Sequence, residues 1–340
     1  MCGFLSIDSS EYPMAIFDKA LHELDDRGPD MTRTQEANGA VFGFNRLSIM
    51  DLSEKGMQPF NNNNCTLVCN GEIYNYPDLK ENLADDYECQ SHSDCEVLLP
   101  LYQKYGLDIM CKMLDGEFAF SIKDGNTGKM LAGRDPMGIR PMFYGYTEKG
   151  KVAFASVAKA LVPVCHDIKP FPPGCYYDGE KIVRYNDLGD VKHYVEDDVD
   201  LIDKRLQSDA PIGFLLSGGL DSALVCSIAQ RIMDKPIKTF AIGMDRNPID
   251  LKYAKEVADY LGTDHTEVIM TREDVLGHLK EVIRKLETWD ITTIRASLGM
   301  YIVCEYIHQN TDLKVILTGE CSDEMFGYKY TDFAPSPAEF

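Results

Sequence analysis

The chain has 340 residues, 44% of them hydrophobic, and a formal net charge of −21. A chain of this length and composition can bury more than one core, so we expect a globular protein of two domains. Because so strong a negative charge repels polyanions, it excludes a broad nucleic-acid surface, although a local site for a small anion remains compatible with it.

The N-terminus and the cysteines indicate a compartment. The first twenty residues lack the basic and apolar regions of a secretory signal, and no apolar run reaches membrane-spanning length. The 11 cysteines are odd in number and form no CxxC pair. We therefore expect a cytoplasmic protein with no membrane partner, no disulfide framework and no structural zinc site.

Residues 1–185 have the pattern of a first domain built mainly from antiparallel strands. Short apolar runs punctuated by Gly, Asn and Asp alternate there with a few helical patches. The predicted strands are residues 39–44, 66–69, 117–122, 129–133 and 151–155, and the predicted helices are residues 17–24, 77–83 and 95–105.

An acidic stretch at residues 186–209 is partly helical by pattern and is predicted to connect the first domain to a second one at residues 210–340. In the second domain strands and helices alternate, which predicts a parallel, doubly wound sheet with its ligands beyond the carboxyl ends of the strands. The predicted strands are residues 212–216, 237–242, 265–270 and 314–317, and the predicted helices are residues 222–233, 251–261, 272–286 and 298–308.

Cys2 is the first candidate functional residue, because removal of Met1 would make it N-terminal. Its thiol could then act as a nucleophile while its own α-amino group relays the proton. For this residue taken alone, the favoured interpretation is an ordinary cysteine near a chain end.

The segment Ser217-Gly218-Gly219-Leu220-Asp221-Ser222 follows a predicted strand and leads directly into a helix. Its glycines allow close approach of backbone N–H groups, its serines add hydroxyl donors and the helix start favours negative charge, so the segment predicts a phosphate cradle. It lacks the Lys of GxxxxGK[ST] and does not match GxGxxG. Asp221 beside phosphate implies a bridging Mg²⁺. The alternative is a glycine-rich connection in which Ser222 caps the helix.

A second polar cluster, residues 318–324, follows the predicted strand 314–317. Because the carboxyl ends of parallel strands meet at one edge of a sheet, we expect this cluster to lie near the phosphate cradle. Carboxylates from both loops would then form a site for a divalent metal ion.

The phosphate cradle resembles the pyrophosphate loop of ATP pyrophosphatases, which adenylate an acid. The N-terminal half resembles the class II glutamine amidotransferase domain, an αββα sandwich of the Ntn-hydrolase type, and the order of the halves resembles the bacterial B type of the glutamine-hydrolysing asparagine synthetase family. The resemblance is carried by ordered motifs at residues 1–3 (MCG), 27–30 (RGPD), 46–51 (RLSIMD), 70–75 (NGEIYN), 93–96 (SDCE), 114–120 (LDGEFAF), 133–138 (GRDPMG) and 171–174 (FPPG).

The resemblance implies a glutaminase site in the first domain. Cys2 would attack the side-chain amide of glutamine and release ammonia, while the Asn70 side chain and the Gly71 N–H bind the oxyanion. Arg46 would bind the α-carboxylate of glutamine, and Glu72 and Asp94 its α-ammonium group. Taken singly, Arg46, Asn70 and Asp94 have ordinary structural interpretations as an ion pair, a turn and a helix cap.

The resemblance likewise implies a nucleotide site in the second domain. The residues assigned to ATP and pyrophosphate are Leu216, Ser217, Gly218, Gly219, Asp221, Ser222, Ile242, Thr318 and Gly319. Asp221 and Asp323 are assigned to Mg²⁺, and Arg295 and Glu320 to aspartate and its adenylate.

The implied reaction joins the two sites. Aspartate and ATP form β-aspartyl-AMP, which ammonia arriving through an internal tunnel converts to asparagine, with AMP, pyrophosphate and glutamate as the other products. ATP is then a co-substrate and Mg²⁺ the cofactor. The sequence leaves the oligomeric state open, with a homodimer as one arrangement.

Family members continue well past the segment that corresponds to residues 334–340, so we expect the synthetase domain to be truncated. Two other functions therefore stay open. One is a glutaminase or nucleotide-binding regulatory module with an inactive synthetase half. The other is an amidotransferase that acts on a different carboxylate.

Overall fold

The structure, a computed structural model, describes residues 1–9, 11–187, 198–246, 248–320 and 322. Contacts between Cα atoms divide the chain into two units, Met1–Glu196 and Asp197–Phe340. The predicted connector at residues 186–209 spans this division.

The first unit contains two six-stranded antiparallel sheets. In chain order its strands are β1 Gly3–Ile7, β2 Met31–Ala37, β3 Ala40–Arg46, β4 Phe60–Asn62, β5 Cys65–Ile73, β6 Gly116–Asp124, β7 Met130–Arg134, β8 Phe143–Tyr146, β9 Val152–Ala155, β10 His166–Pro170, β11 Cys175–Tyr177 and β12 Ile182–Arg184. One sheet has the order β10-β8-β9-β1-β3-β2, and the other has the order β12-β11-β7-β6-β5-β4. Cys2 directly precedes β1, and the candidate residues at positions 46 and 70–72 lie on β3 and β5, all of which are interior strands.

Helices cover the outer faces of both sheets. These helices are α1 Met14–His22, α2 Tyr76–Leu83, α3 Leu98–Tyr105, α4 Leu107–Met113 and α5 Ala158–Leu161. Strand β3 shows why the layers form, because its side chains alternate between faces: Phe42 and Phe44 pack between the two sheets, whereas Val41 packs against α1 and α5. On the other sheet, Phe120 packs with residues of α2 and α3. This confirms the αββα sandwich.

The second unit contains a four-stranded parallel sheet. Its strands are β13 Ile212–Leu215, β14 Lys238–Met244, β15 Asp264–Met270 and β16 Val315–Leu317, in the order β15-β14-β13-β16. The chain runs outward from β13 to β15 and then returns to the opposite side of β13 with β16. The strand order therefore reverses at β13, which is where a doubly wound sheet opens its ligand crevice.

Helices pack on both faces of this sheet and confirm the doubly wound architecture. They are α6 Asp198–Arg205, α7 Leu220–Ile232, α8 Ile249–Leu261, α9 Arg272–Leu286 and α10 Ile291–Asn310. Phe214 packs with α7 and α8 on one face, and Phe240 packs with Val303 and Ile307 of α10 on the other. No helix in the described ranges is both long and apolar enough to cross a bilayer.

Helix α10 begins at Ile291, seven positions before the predicted start at residue 298. The Asp290 side chain caps it by accepting a 2.7 Å hydrogen bond from the Thr293 N–H. Residues 292–297 are therefore helical.

Candidate active sites

Cys2 lies directly before β1, with its thiol against the residue that follows β3. The Cys2 Sγ donates a hydrogen bond to the Leu47 carbonyl oxygen and accepts one from the Leu47 N–H, each at 3.4 Å. Burial raises the pKa of the Cys2 thiol. The thiol is therefore mostly protonated near neutral pH and needs a base to become a nucleophile.

A small pocket opens beside Cys2, and four predicted residues line it together with the thiol: Arg46, Gly71, Glu72 and Asp94. Its volume is about 30 Å³, which is room for about one water molecule. The segment between Leu47 and Gly56 forms much of one wall. Because glutamine needs more room, the pocket in this conformation is too small to hold it.

Asn70 holds the backbone at Cys2. In the amide orientation that satisfies its neighbours, Asn70 Nδ2 donates to the Cys2 carbonyl oxygen at 3.2 Å and Asn70 Oδ1 accepts from Arg27 Nη2 at 3.3 Å. Arg27 Nε donates to the same Cys2 carbonyl at 2.9 Å. Two side chains thus fix the position of the nucleophile, and Asn70 itself is not among the described residues that line the pocket.

Arg46 is buried at the pocket wall and is bonded to backbone carbonyls of the neighbouring loop. Its Nη1 donates to the Ser53 oxygen at 2.6 Å, and its Nη2 donates to the Met50 oxygen at 3.3 Å and to the Asp51 oxygen. A substrate carboxylate would therefore compete with these carbonyls for the guanidinium donors. Binding at Arg46 and movement of the loop should be linked.

Glu72 and Asp94 bring two carboxylates to the same pocket. The Ile73 N–H donates to Asp94 Oδ2 at 2.6 Å. Burial raises the pKa of Asp94 to about 6 and that of Glu72 well above its usual range, the latter also through the charge of Asp94. Two desolvated carboxylates of this kind attract an incoming cation such as an ammonium group.

The predicted phosphate cradle is closed by its own serines. The Ser217 and Ser222 hydroxyl oxygens lie 2.9 Å apart, and the Ser217 N–H donates to Ser222 Oγ at 3.1 Å. Gly218 has φ +81°, and a Cβ there would lie 2.5 Å from the Ala254 nitrogen of α8. Only glycine fits this position, so the turn depends on it.

A cavity of about 490 Å³ opens at the carboxyl ends of β13, β14 and β16. The predicted residues that line it are Leu216, Ser217, Gly219, Asp221, Ser222, Ile242, Thr318, Gly319 and Glu320. One part of the remaining wall is apolar and includes Phe240 of β14 and Met300 and Val303 of α10, and the polar residues Asp250 and Ser322 also line the cavity. An apolar wall facing a cluster of polar groups suits a flat base joined to phosphates.

Of the predicted second-unit residues that the structure describes, two do not line this cavity. Gly218 packs against α8, and Arg295 is exposed on α10, although the next residue, Ala296, does line the cavity. Asp323 lies outside the described residues. The roles assigned to Arg295 and Asp323 stay predictions.

The donor groups of this cavity fit a Mg²⁺ ion that arrives with a nucleotide. Asp221 and Glu320 both line it. A Cβ on Gly319 would lie 2.6 Å from the Ser222 nitrogen, so the backbones of the two loops are in close contact at this glycine. Within the described ranges, no three His, Cys, Asp or Glu residues form a metal-binding cluster. Mg²⁺ typically takes one or two carboxylates and completes its shell with phosphate and water.

Sequence reasoning missed several residues of both sites. Around Cys2 it did not single out Arg27, Glu117 or Arg140, although Arg27 and Glu117 lie within the quoted motifs and Arg140 follows one of them closely. In the second unit it missed the apolar wall. The only signal for that wall is the three-residue spacing of Met300 and Val303 on one face of α10.

Each half of the chain matches a known protein family. Residues 1–172 match a family model described as a glutamine amidotransferase domain, and residues 199–338 match one described as asparagine synthase. A probable glutamine-hydrolysing asparagine synthetase of Acanthamoeba polyphaga mimivirus is 39% identical over an alignment 386 residues long. The alignment covers 100% of this chain and 70% of that protein. Glutamine-hydrolysing asparagine synthetase B of Escherichia coli K12 is 41% identical over an alignment 343 residues long. The alignment covers 92% of this chain and 61% of that protein. The structure of glutamine phosphoribosylpyrophosphate amidotransferase from B. subtilis has a TM-score of 0.45 and 19% identity over 78% of this chain and 65% of that chain.

Proposed function

The chain belongs to the family of glutamine-hydrolysing asparagine synthetases, and on that premise we propose that it makes asparagine with ammonia taken from glutamine. The observation that carries the proposal is the pocket in which the Cys2 thiol meets Arg46, Gly71, Glu72 and Asp94. These groups offer a nucleophile, a hydrogen-bond donor for an oxyanion, and charges opposite to those of the α-ammonium and α-carboxylate groups of an amino acid.

Glutamine hydrolysis begins after Met1 is removed. The free α-amino group of Cys2 accepts the thiol proton, and the sulfur attacks the amide carbon of glutamine. The Asn70 amide group and the Gly71 N–H donate to the oxyanion. The protonated amine then gives its proton to the departing nitrogen, ammonia leaves, and water hydrolyses the glutamyl thioester to glutamate.

Substrate orientation comes from the charges around the thiol. Asp94 and Glu72 receive the α-ammonium group, and Arg46 receives the α-carboxylate as its bonds to the loop carbonyls are exchanged. The ion pairs to both charged groups on the α-carbon of glutamine then direct its side-chain amide toward the thiol.

The cavity of the second unit takes ATP and aspartate. The adenine lies against the apolar wall, and the phosphates lie at Ser217 and Ser222. A carboxylate oxygen of aspartate attacks the α-phosphorus, pyrophosphate leaves, and ammonia displaces AMP from the resulting acyl-adenylate. Asp221, with Asp323 as its predicted partner, would hold Mg²⁺, which neutralises charge on the pyrophosphate. We place both reactions in the cytoplasm, where ATP and free amino acids are available.

The test measures three products separately. Protein whose loss of Met1 has been verified by intact mass is incubated with glutamine, ATP, Mg²⁺ and aspartate, and glutamate, AMP and asparagine are quantified. We expect AMP and asparagine in equal amounts, with AMP formation dependent on aspartate. Cys2→Ala should abolish glutamine use and leave synthesis from added ammonium intact.

Other outcomes would contradict specific parts of the proposal. Glutamate without AMP would limit the activity to a glutaminase. AMP formation that requires a different acid would change the acceptor. Continued glutamine hydrolysis by Cys2→Ala would reject Cys2 as the nucleophile.

A further inference from the structure

The loop between β7 and β8 carries Arg140 to the Cys2 end of the first unit. Arg134 Nε donates to the Arg140 carbonyl oxygen at 2.7 Å, and the Asp135 carboxylate accepts from the Ile139 N–H at 2.9 Å and the Arg140 N–H at 3.0 Å. Asp135 is only 1% exposed. A cation and a buried anion thus fix the loop backbone on either side of the Arg140 side chain.

The Arg140 guanidinium is buried, with 8% of the residue exposed. Its Nη2 lies 3.4 Å from Glu117 Oε2, and its Nη1 contacts the Met1 sulfur. Its Nε has no hydrogen-bond partner in the part of the chain that the structure describes. A guanidinium retained only to hold the fold would be expected to use its donors, because burying an unpaired polar group is costly.

Glu117 links Arg140 to the carboxylates of the glutamine pocket. It faces Glu72 directly across the pairing of β5 with β6, and its Oε1 accepts a 2.8 Å hydrogen bond from the Tyr74 hydroxyl. The charged groups that act on the chain terminus are Arg27, Arg140 and Glu72, together with the Cys2 thiol. Glu117 and Asp94 act in turn on Glu72 through their charges.

We propose that Arg140 is a positioning residue for glutamine hydrolysis, and that its charge keeps the α-amino group of mature Cys2 unprotonated and able to accept the thiol proton. This inference rests on the proposed function. A cation beside an amine disfavours the ammonium form, and Glu117, as the counter-charge of Arg140, moderates the effect.

In the unprocessed chain, the amine of Met1 is already subject to these opposing charges. Although 45% of the surface of Met1 is exposed, burial lowers the pKa of its amine to about 5, opposed by the Cys2 thiol and by Glu72 and reinforced by Arg27 and Arg140. Removal of Met1 moves the free amine one residue closer to β1, among the same charged groups.

The experiment uses two substitutions with opposite expected effects. The kcat of glutamine hydrolysis, at glutamine concentrations that saturate each variant, is measured from pH 5 to 9 on the full chain without Met1, so that protonation of Asp94 and Glu72 in the free pocket does not enter the profile. Because the amine must be neutral to act as a base, activity rises with pH through the pKa of the amine. R140Q should move this acid limb up by about one pH unit, and E117Q should move it down by a similar amount.

Two further variants serve as controls. R140K keeps the positive charge and should restore the acid limb to near its wild-type position. K112Q removes a charge from an exposed helical pair with Asp108, far along the chain from the terminus, and should leave the profile unchanged. If R140Q does not fold, E117Q and R140K still test the proposal.

A second readout does not need turnover. The glutamine analogue 6-diazo-5-oxo-L-norleucine alkylates the activated thiol with loss of N₂, and intact mass gives the rate of labelling at each pH. R140Q and E117Q should shift this rate profile as they shift hydrolysis. A uniform loss of rate in R140Q with an unmoved acid limb would make Arg140 merely structural and overturn the inference. A wild-type protein that neither hydrolyses glutamine nor reacts with the analogue would overturn the proposed function as well.

Discussion

Buried charge defines the chemistry of the glutamine pocket at the level of single residues. Asp94 and Glu72 are desolvated carboxylates whose pKa values burial raises, and Arg46 is a desolvated cation bonded to its own chain. Each group would be more stable in water, so each has more to gain from a charged substrate than an exposed residue would. The pocket is therefore suited to a zwitterion.

Protonation of Asp94 should weaken glutamine binding. With a pKa of about 6, Asp94 is almost fully ionised at pH 7.5 and mostly protonated at pH 5.5, so affinity should fall about fourfold between these values. Calorimetric titration of Cys2→Ala protein with glutamine measures this without turnover. Equal affinity at both pH values would contradict an ionic role for Asp94.

The matched control is Asp94→Asn in the same background. It should bind glutamine weakly at both pH values. Because the folded-state pKa of Asp94 lies above its ordinary value, its ionised form disfavours the fold, and this cost is lost as pH falls through about 6. The substitution should therefore leave the unfolding temperature at pH 7.5 unchanged or raise it, which separates weak binding from unfolding.

At the level of elements, the nucleotide cavity depends on one connection, from β13 through the phosphate cradle into α7. The strand ends at Leu215, and α7 begins at Leu220 with Gly219 as its N-cap, so only four residues turn the chain. Close packing of Gly218 on α8 fixes the path of this turn. The geometry of the anion site is thus set by a helix that does not follow it directly in the chain.

Gly218→Ala should damage both stability and ATP binding. The new Cβ would lie 2.5 Å from the Ala254 nitrogen and 2.6 Å from the Tyr253 carbonyl carbon, at a backbone φ of +81° that alanine disfavours. We expect the second unit to lose about 1–3 kcal/mol of unfolding free energy. Urea unfolding and calorimetric titration with ATP and Mg²⁺ measure the two effects.

Gly277→Ala is the matched control for this substitution. Gly277 lies inside α9, and nothing lies within 4 Å of the place that a Cβ would take there. Alanine at this position should stabilise the unit by about 0.5–1 kcal/mol and leave ATP binding intact. A Gly218→Ala protein that behaved like this control would show that the turn tolerates a side chain.

At the level of the whole molecule, each unit has its own hydrophobic interior. With the partly buried residues packed against them, the described clusters of the first unit draw only on residues 2–185, and those of the second only on residues 202–317. Each unit therefore has the means to unfold as a separate cooperative block.

Scanning calorimetry should show two transitions with different ligand responses. ATP with Mg²⁺ should raise the unfolding temperature of the second unit, because a ligand stabilises the state that binds it. Labelling of Cys2 with 6-diazo-5-oxo-L-norleucine should raise that of the first unit. A single transition that both treatments shift equally would contradict independent cores.

Strands and helices were predictable where their signal is local. The buried strands β3, β5 and β6 and the alternating elements of the second unit were predicted because apolar periodicity and flanking glycines are carried by neighbouring residues. Strands such as β4, β11 and β12 were missed because three residues are too few to show a period. The start of α10 was misplaced because its cap, Asp290, lies before the apolar part of the helix.

The sequence alone could predict the candidate reactive groups of both sites, namely Cys2 behind the initiator Met, the charged residues of the ordered motifs and the cradle at residues 217–222. It could do so because residue type and short spacing carry that chemistry. Three features are visible only in the folded chain: Arg46 is bonded to loop carbonyls, Phe240 and Val303 line one cavity, and Arg140 contacts both Glu117 and Met1. Every residue has a backbone carbonyl, so residue type does not show which carbonyl accepts a given hydrogen bond. Contacts between residues far apart in the chain form only when the sheets pair and pack.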